Sequence, residues 1–484
     1  MYLQNYPSDI VEFGPAIVPL ARRQPIKKST GKPPVGPWRP EGSLVASFGE
    51  HTASVNRVVV APDHNFFITA SNDGTVKIWD SNRLEKNVSF KSRQTHRHGN
   101  NVKVKAICFI ENTRCFVSAA SDGSIHVVKV DFNPATLKYG RLKTIREWQL
   151  PENESAVWVE HFKADSNSIL LIATNACNVH ALDLRTMSIL YTLRNPVHHG
   201  TPICFCMDNK HNWLILGTSH GILDMWDLRF QLRVKAWGLS GHIPIHRLQV
   251  HPTKGRGKYI LVAGGTGHGE ISTWDIEKLQ CREVYRSSST PPAPRAYEPW
   301  NVDDESSEKM LAKFANAEAV ETASASASSP SPIVDRGIRA FVCDVDVVED
   351  PKTGNTTFPG FLLAAGTDRK VRFWNCAKIE TSMVVSGMEY DEPKPVFASS
   401  HPLPTLVVNA EKTEPANKPE SSTAAAKKKS AANTSRTPRS TVITQQQQML
   451  MRNHLDMVMD VAFLEVPYGM VVSVDRSGMV FINQ

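Results

Sequence analysis

Thr69–Asp80 reads TASNDGTVKIWD: a short apolar strand, a tight polar turn around Asp73, and a second strand. In that second strand Val76 and Ile78 fall on one face and Thr75, Lys77 and Trp79 on the other, the period of two that marks a β-strand. The same unit returns in weaker forms along the 484 residues. Ser118–Lys129 reads SAASDGSIHVVK, Thr174–Asp183 TNACNVHALD, Gly217–Asp227 GTSHGILDMWD, Gly264–Asp275 GGTGHGEISTWD, Ala365–Asn375 AGTDRKVRFWN and Val472–Asn483 VSVDRSGMVFIN. An apolar run precedes each copy, such as Val55–Val60 or Ala106–Ile110, and a further one often follows, such as Val234–Trp237.

Four short strands recurring roughly every 45–50 residues predict the blades of a β-propeller. The place of Trp79 is taken in turn by Val128, Leu182, Trp226, Trp274, Trp374 and Asn483. The last two steps are about twice the period, which means either missing blades or insertions. Ser287–Arg336 carries TPPAP and ASASASSPSP, and Met388–Asn453 carries TEPANKPESSTAAAKKKSAANTSRTPRS and QQQQ. Neither composition suits a packed blade, so both are expected to be disordered loops inserted in the ring. Seven blades follow. The seventh ends after its third strand, and Ser43–Phe48, SLVASF, precedes the first unit without a partner. Pairing the two closes the ring and removes two open sheet edges. The expected organisation is therefore all-β: a flexible tether over residues 1–42, and a seven-bladed propeller over 43–484 interrupted by disordered inserts at 287–336 and 388–453. The tether carries basic pairs at Arg22-Arg23 and Lys27-Lys28 among Pro and Gly.

The first unit also holds a polar set expected to tie its strands together: His51 before the first strand, a hydroxyl on the second (Thr69 or Ser71, with Ser71 taken for the set), Asp73 in the turn, and Trp79. A His inside a sheet in such company is a structural group. Other blades keep the set in part: blade five has His242 and Trp274, blade six Asp368 and Trp374, and blade three no Trp. Blades that have lost it are expected to pack by apolar surface instead.

Composition narrows the function. Hydrophobic residues make up 41%, charged residues 21%, and a net charge of +7 spread over the chain does not argue for a nucleic-acid partner. No run of 18 apolar residues predicts a membrane helix, and Met1–Pro15 lacks the flanks of a signal peptide. The eight Cys form no CxxC pair and read as free core thiols of a reducing compartment. Gly264-Gly265-x-Gly267-x-Gly269 lacks the Lys of a phosphate loop, no HRD, DFG or GxSxG occurs, and His198-His199 and His242-x-x-x-His246 have no HExxH context. No catalytic residue, cofactor or metal is therefore expected. The run Lys427–Lys429 with Arg436 and Arg439 reads as solvated linker, Ser307–Val320 as a short helix in the first insert with Met310, Leu311, Phe314 and Ala317 on one side, and Ser329-Pro330, Ser331-Pro332 and Thr437-Pro438 as phosphorylation candidates.

SNDGTVKIW after HTASVNRVVV is WD-repeat in character, and Asn212–Leu232, NWLILGTSHGILDMWDLRFQL, is more particular. With HRLQVHP (His246–Pro252) and AGTDRKVRFW (Ala365–Trp374), it resembles the C-terminal WD-repeat propeller of the phosphoinositide 3-kinase regulatory subunit 4 family, the pseudokinase-like scaffolds of class III phosphatidylinositol 3-kinase complexes. The resemblance runs from about Gly42 onward, insertions excepted, and does not include that family's kinase-like domain or helical repeats. It implies a non-catalytic scaffold whose partners are the class III lipid kinase catalytic subunit and Beclin-type subunits. It also implies a cytoplasmic protein, peripheral on late endosomal and autophagosomal membranes through the complex. A different class competes. Trp226-Asp227-Leu228-Arg229 matches the WDxR pattern of substrate receptors for cullin-RING ubiquitin ligases, in which the Arg reaches the adaptor. Trp226, Asp227, Arg229 and Phe230 are accordingly the candidate partner-binding residues.

Overall fold

The computed structural model describes the chain apart from residues 1–12, 85–90, 288–296, 315–336, 350–354 and 413–452, a scatter of positions between 14 and 35, and 165–166, 267–268, 305, 311, 313 and 390–391. Seven antiparallel four-stranded units follow one another. Their innermost strands are Val55–Val60, Val104–Phe109, Ala156–Ala164, Pro202–Met207, Ile245–Val250, Ile338–Val345 and Val458–Leu464. Each inner strand abuts the next, and the seventh abuts the first. Leu44–Phe48 pairs antiparallel with Val480–Asn483 and supplies the outer strand of blade seven. The expected seven-bladed propeller, closed by its first strand, is the observed fold.

The core lies between blades, so both faces of every sheet are buried. Val76 and Ile78 of blade one pack with Ile107 and Phe116 of blade two. Trp79 and Phe67, on the other face, pack with Phe48 and Val472 of blade seven. The period-two pattern thus feeds two different cores. The eight Cys are free, seven of them buried and Cys376 half-buried.

The inner strands share one irregularity. In each blade the register slips by a residue near the start of the inner strand. The skipped residues are Asn56, Lys105, Val157, Ile203, His246, Arg339 and Met459. A bulge re-aims its side chain and adds twist. Here it places one residue per blade around the mouth of the central channel.

Parts of the three stretches expected to be tether or insert are packed on the ring. The expected tether, residues 1–42, is anchored at several points. Ile26 and Trp38 are buried between blades six and seven, and their backbone N–H groups donate to the buried carboxylate of Asp346 (3.1 and 2.6 Å). Trp38 packs on Phe463, Phe361 and Phe373 at ring distances of 4.9, 5.3 and 5.6 Å. A Cβ on Gly469 would meet its indole at 2.4 Å, so that position requires glycine. Phe13 is buried against blade two. These apolar residues are too sparse to colour the composition, yet each fills a pocket that blade packing leaves open.

In the first insert, Trp300–Asn301 adds a fifth strand to blade four, residues 307–310 are helical, and Met310 and Phe314 are buried against Ile222 and Ala236. Phe314 stacks on His220 at 4.0 Å. Leu311 and Ala317 of the expected helix face lie outside the described residues. In the second insert, Val396–Leu403 and Leu406–Lys412 form a hairpin whose second strand runs parallel to Gln280–Arg286 of blade five. Asn409 donates to Glu283 (3.0 Å), and Glu411 pairs with buried Arg372 of blade six. The alternation of Leu406, Val408 and Ala410 had been averaged away by the low-complexity sequence beyond it. Lys427–Lys429, Arg436, Arg439 and the three Ser/Thr-Pro sites lie outside the described residues.

Candidate interaction surfaces

The polar set of blade one runs through the sheet. The Trp79 indole N–H donates to Thr69 Oγ1 (2.9 Å), Thr69 Oγ1 meets His51 Nε2 (2.8 Å), and His51 Nδ1 meets Asp73 Oδ2 (2.8 Å). Burial opposes the ionisation of Asp73, but hydrogen bonds from His51 and Thr75 outweigh it and hold the carboxyl well below its usual range. An ionised Asp73 needs a donor, which assigns the His51 proton to Nδ1 and makes Nε2 an acceptor for the Thr69 hydroxyl. Ser71 is not a link in this chain, which corrects the expected set. It sits at the strand end, where its hydroxyl donates to the Ala53 carbonyl and accepts from the Asp73 N–H, both at 3.1 Å. Thr69 is two residues nearer to the Phe67–Trp79 pair and takes the role.

Related ties occur where the sequence did not single them out. His98 meets Ser118 (2.8 Å), His454 meets Ser473 (2.7 Å) and Asp475 (3.0 Å), and His199 meets Asp224 (2.7 Å). In blade four, Asn195 bridges Asp224 to the Trp226 indole. A His a few residues ahead of the inner strand, as in blades one, two, four, five and seven, was the available signal. His96, His98 and His126 form a cluster of a kind that can ligate a metal. His98 already uses both nitrogens on Ser118 and Ser124 and stacks flat on His126 at 4.0 Å. Two parallel rings aim their lone pairs side by side rather than at one point, so the arrangement does not suit a tetrahedral ion.

The four candidate partner-binding residues divide. Trp226 is buried. Asp227 accepts from the backbone N–H groups of Arg229 (2.9 Å) and Phe230 (3.2 Å), and from the Arg229 guanidinium through Nε (3.2 Å) and Nη2 (2.6 Å). The Arg229 hydrogen bond holds Asp227 below the usual carboxylate range. Arg229 is thus folded back onto its own turn. Phe230 is 70% exposed, followed on the outer strand Leu232–Gly238 by Leu232 at 64% and Val234 at 56%, while Leu190 on the outer strand of blade three is 45% exposed. This apolar rim includes Phe230 but not Trp226.

The central channel offers a second surface. Arg57, Trp158, Arg247 and Asp460 form a layer across it. The Arg57 guanidinium lies 3.7 Å from the centre of the Trp158 ring and that of Arg247 4.9 Å. Both approach Asp460, at 3.4 and 3.7 Å. Burial and neighbouring Arg247 pull Arg57 down to about 10, still a cation at neutral pH. Above the layer, a cavity of about 440 Å³ is walled by the bulged residues. Glu160 lies beneath it, accepting from the Trp158 indole (3.0 Å), and burial pushes its carboxyl above the usual range.

Comparison with known proteins places this geometry. The family model described as "WD domain, G-beta repeat" matches residues 42–80, the first blade with its preceding strand. A probable serine/threonine-protein kinase vps15 of Dictyostelium discoideum is 40% identical over 201 residues, 41% of this chain and 10% of that protein. The serine/threonine-protein kinase VPS15 of Arabidopsis thaliana is 30% identical over 385 residues, 75% of this chain and 24% of that protein. VPS15 of Saccharomyces cerevisiae is 29% identical over 292 residues, 59% of this chain and 19% of that protein. The chain is similar to the C-terminal region of VPS15 kinases. It matches between 10% and 24% of the length of these relatives. The VPS15-like part present here is a WD-repeat propeller and not a kinase domain.

Proposed function

We propose that this VPS15-like propeller is a non-catalytic scaffold that helps assemble a class III phosphatidylinositol 3-kinase complex, contacting the lipid kinase catalytic subunit and Beclin-type subunits. It acts in autophagy and endosomal sorting, cytoplasmic and peripheral on late endosomal and autophagosomal membranes. The observation that carries the reading is likeness to VPS15 over three quarters of the chain in the Arabidopsis relative. The apolar rim of Phe230, Leu232 and Val234 supports it, since a contiguous exposed apolar strip on a rigid disc favours protein contact. A receptor role in a cullin-RING ligase draws on WDxR, but Arg229 is engaged by Asp227.

The test is affinity capture of the full chain from its own cells, with Arg229→Glu and Leu232→Asp/Val234→Asp as variants. Recovery of the class III lipid kinase and a Beclin-type protein, reduced by the rim variant, is the expected result. Recovery of a cullin adaptor that Arg229→Glu abolishes overturns the scaffold reading.

A further inference from the structure

The mouth of the channel combines features that the propeller fold does not require. The bulge positions, which only need to turn the strand, carry Lys105 and Arg339 from blades two and six, and Arg57 and Arg247 stand immediately below from blades one and five. Four cationic residues from four blades thus line one recess, with the Lys105 ammonium also 3.4 Å from Asn72 Oδ1. Among the described residues, the only acidic side chain lining the recess is Asp460, which is itself buried and shared by the two floor arginines. Arg247 Nη1 is buried and donates no hydrogen bond among the described residues. Concentrating like charge in a recess focuses the local field and raises the concentration of anions at its mouth.

We propose that this recess is a binding site for a compact polyphosphate, of the inositol polyphosphate type, held by Arg57, Lys105, Arg247 and Arg339. A ligand bearing several anionic groups on a small body can meet cations that approach from four directions at once. Two guanidinium groups already lie over Trp158. The site therefore offers charge rather than an aromatic platform, which disfavours a nucleotide whose base needs stacking. Guanidinium groups suit phosphate because their N–H forks pair two oxygens at once. The volume of about 440 Å³ admits one such molecule and not a folded chain segment. The site stands independently of the scaffold reading.

The experiment is isothermal titration of inositol hexakisphosphate into the full chain, with inorganic phosphate as the background. Binding of one molecule per chain, weakening as salt is raised, is expected. Lys105→Ala and Arg339→Ala sit on the wall rather than in the Trp158 layer, so they test the site without touching the packing beneath it. Each is expected to weaken binding about tenfold, the scale of one charge-assisted contact, with an unchanged melting temperature. A second arm uses vesicles with and without phosphatidylinositol 3-phosphate. Vesicle binding lost in the same two variants assigns the polyphosphate to a lipid headgroup, whereas binding of the soluble ligand alone assigns it to a free one. Titration no stronger than inorganic phosphate overturns the proposal. So does binding that survives both wall variants and is lost in Lys427→Ala/Lys428→Ala/Lys429→Ala.

Discussion

Blades one and three hold the same four-strand sheet by different means. In blade one a polar chain crosses the sheet from Trp79 through Thr69 and His51 to Asp73. In blade three Leu182 stands where Trp79 would be, paired with Leu170, and both are fully buried among Ile172 and Leu184. Its polar contacts, Glu154 to His180 and His161 to Ser168, do not pass through the Leu182 position. The first solution fixes strand register by directional bonds, the second by volume and by longer strands, Ala156–Ala164 and Asn167–Thr174. A propeller accepts both because what each blade must supply is two apolar faces. The polar chain adds specificity to one of them.

Trp79→Ala is the hardest test of that contrast. It removes a fully buried indole and leaves Thr69 without its donor, and is expected to cost about 3–5 kcal/mol. Leu182→Ala removes volume alone and is expected to fall at about 2–4 kcal/mol. Urea unfolding of the two variants decides the matter, and a larger loss at Leu182 would mean that the polar chain adds nothing beyond packing.

Hydroxyl deletions sharpen it. Thr69→Val keeps the shape but removes the acceptor of Trp79 and the partner of His51, both buried, for about 1–3 kcal/mol. Ser71→Ala removes the bond donated to the Ala53 carbonyl and the one accepted from the Asp73 N–H, both half-buried at a strand end, and is expected to cost about 1 kcal/mol. Equal losses would restore Ser71 to the network that the geometry gives to Thr69.

This pair also marks how far the sequence can be read. Seven units and the closing strand were legible because period-two alternation and ring closure are properties of whole segments. Which hydroxyl bonds His51 was not, since Thr69 and Ser71 share a face and differ only in distance along it. His454, Ser473 and Asp475 escaped notice because Asn483 replaces Trp, and because the Asp lies at a strand end and not in the turn. The clasp of Ile26 and Trp38 and the hairpin 396–412 were hidden inside stretches whose average composition is polar, whereas the helix at 307–310 was legible from the shared side of Met310 and Phe314. The channel layer had no local signal at all. Arg57, Trp158, Arg247 and Asp460 meet only because the ring closes.

Acid should separate the first two blades from the third. Burial, with His126 second, pulls His96 down to about 4, and burial, with His126 and His96 next, pulls His98 down to about 3. Asp122 and Glu147 act in the opposite sense on this cluster. The folded state therefore keeps these rings neutral while the unfolded chain binds protons below its ordinary histidine range of about 6.5. Stability should be fully present above that value and fall as pH drops from about 6.5 towards 4. The depressed Asp73 adds a further loss only below about pH 4. Melting curves at pH 7 and pH 5 measure the first window, and His96→Gln/His126→Gln should flatten it. An unchanged slope in that double variant would place the titration elsewhere.

The smallest effect is expected at the rim of blade four. Arg229 and Asp227 make the shortest ion pair on that turn, but the arginine side chain is 59% exposed. Water competes for both charges there, and ordering a long side chain offsets most of what the pair gains. Arg229→Ala should leave the melting temperature where it is. Leu232→Asp/Val234→Asp should do the same, because both side chains face solvent already. A stable fold with weakened partner capture in the second variant, and not in the first, would place the binding energy in the apolar strip and leave the WDxR arginine as a clamp on its own turn. A drop of several degrees on losing Arg229 would instead make that clamp part of the blade's register. Blade four would then join blade one among those held by directional bonds.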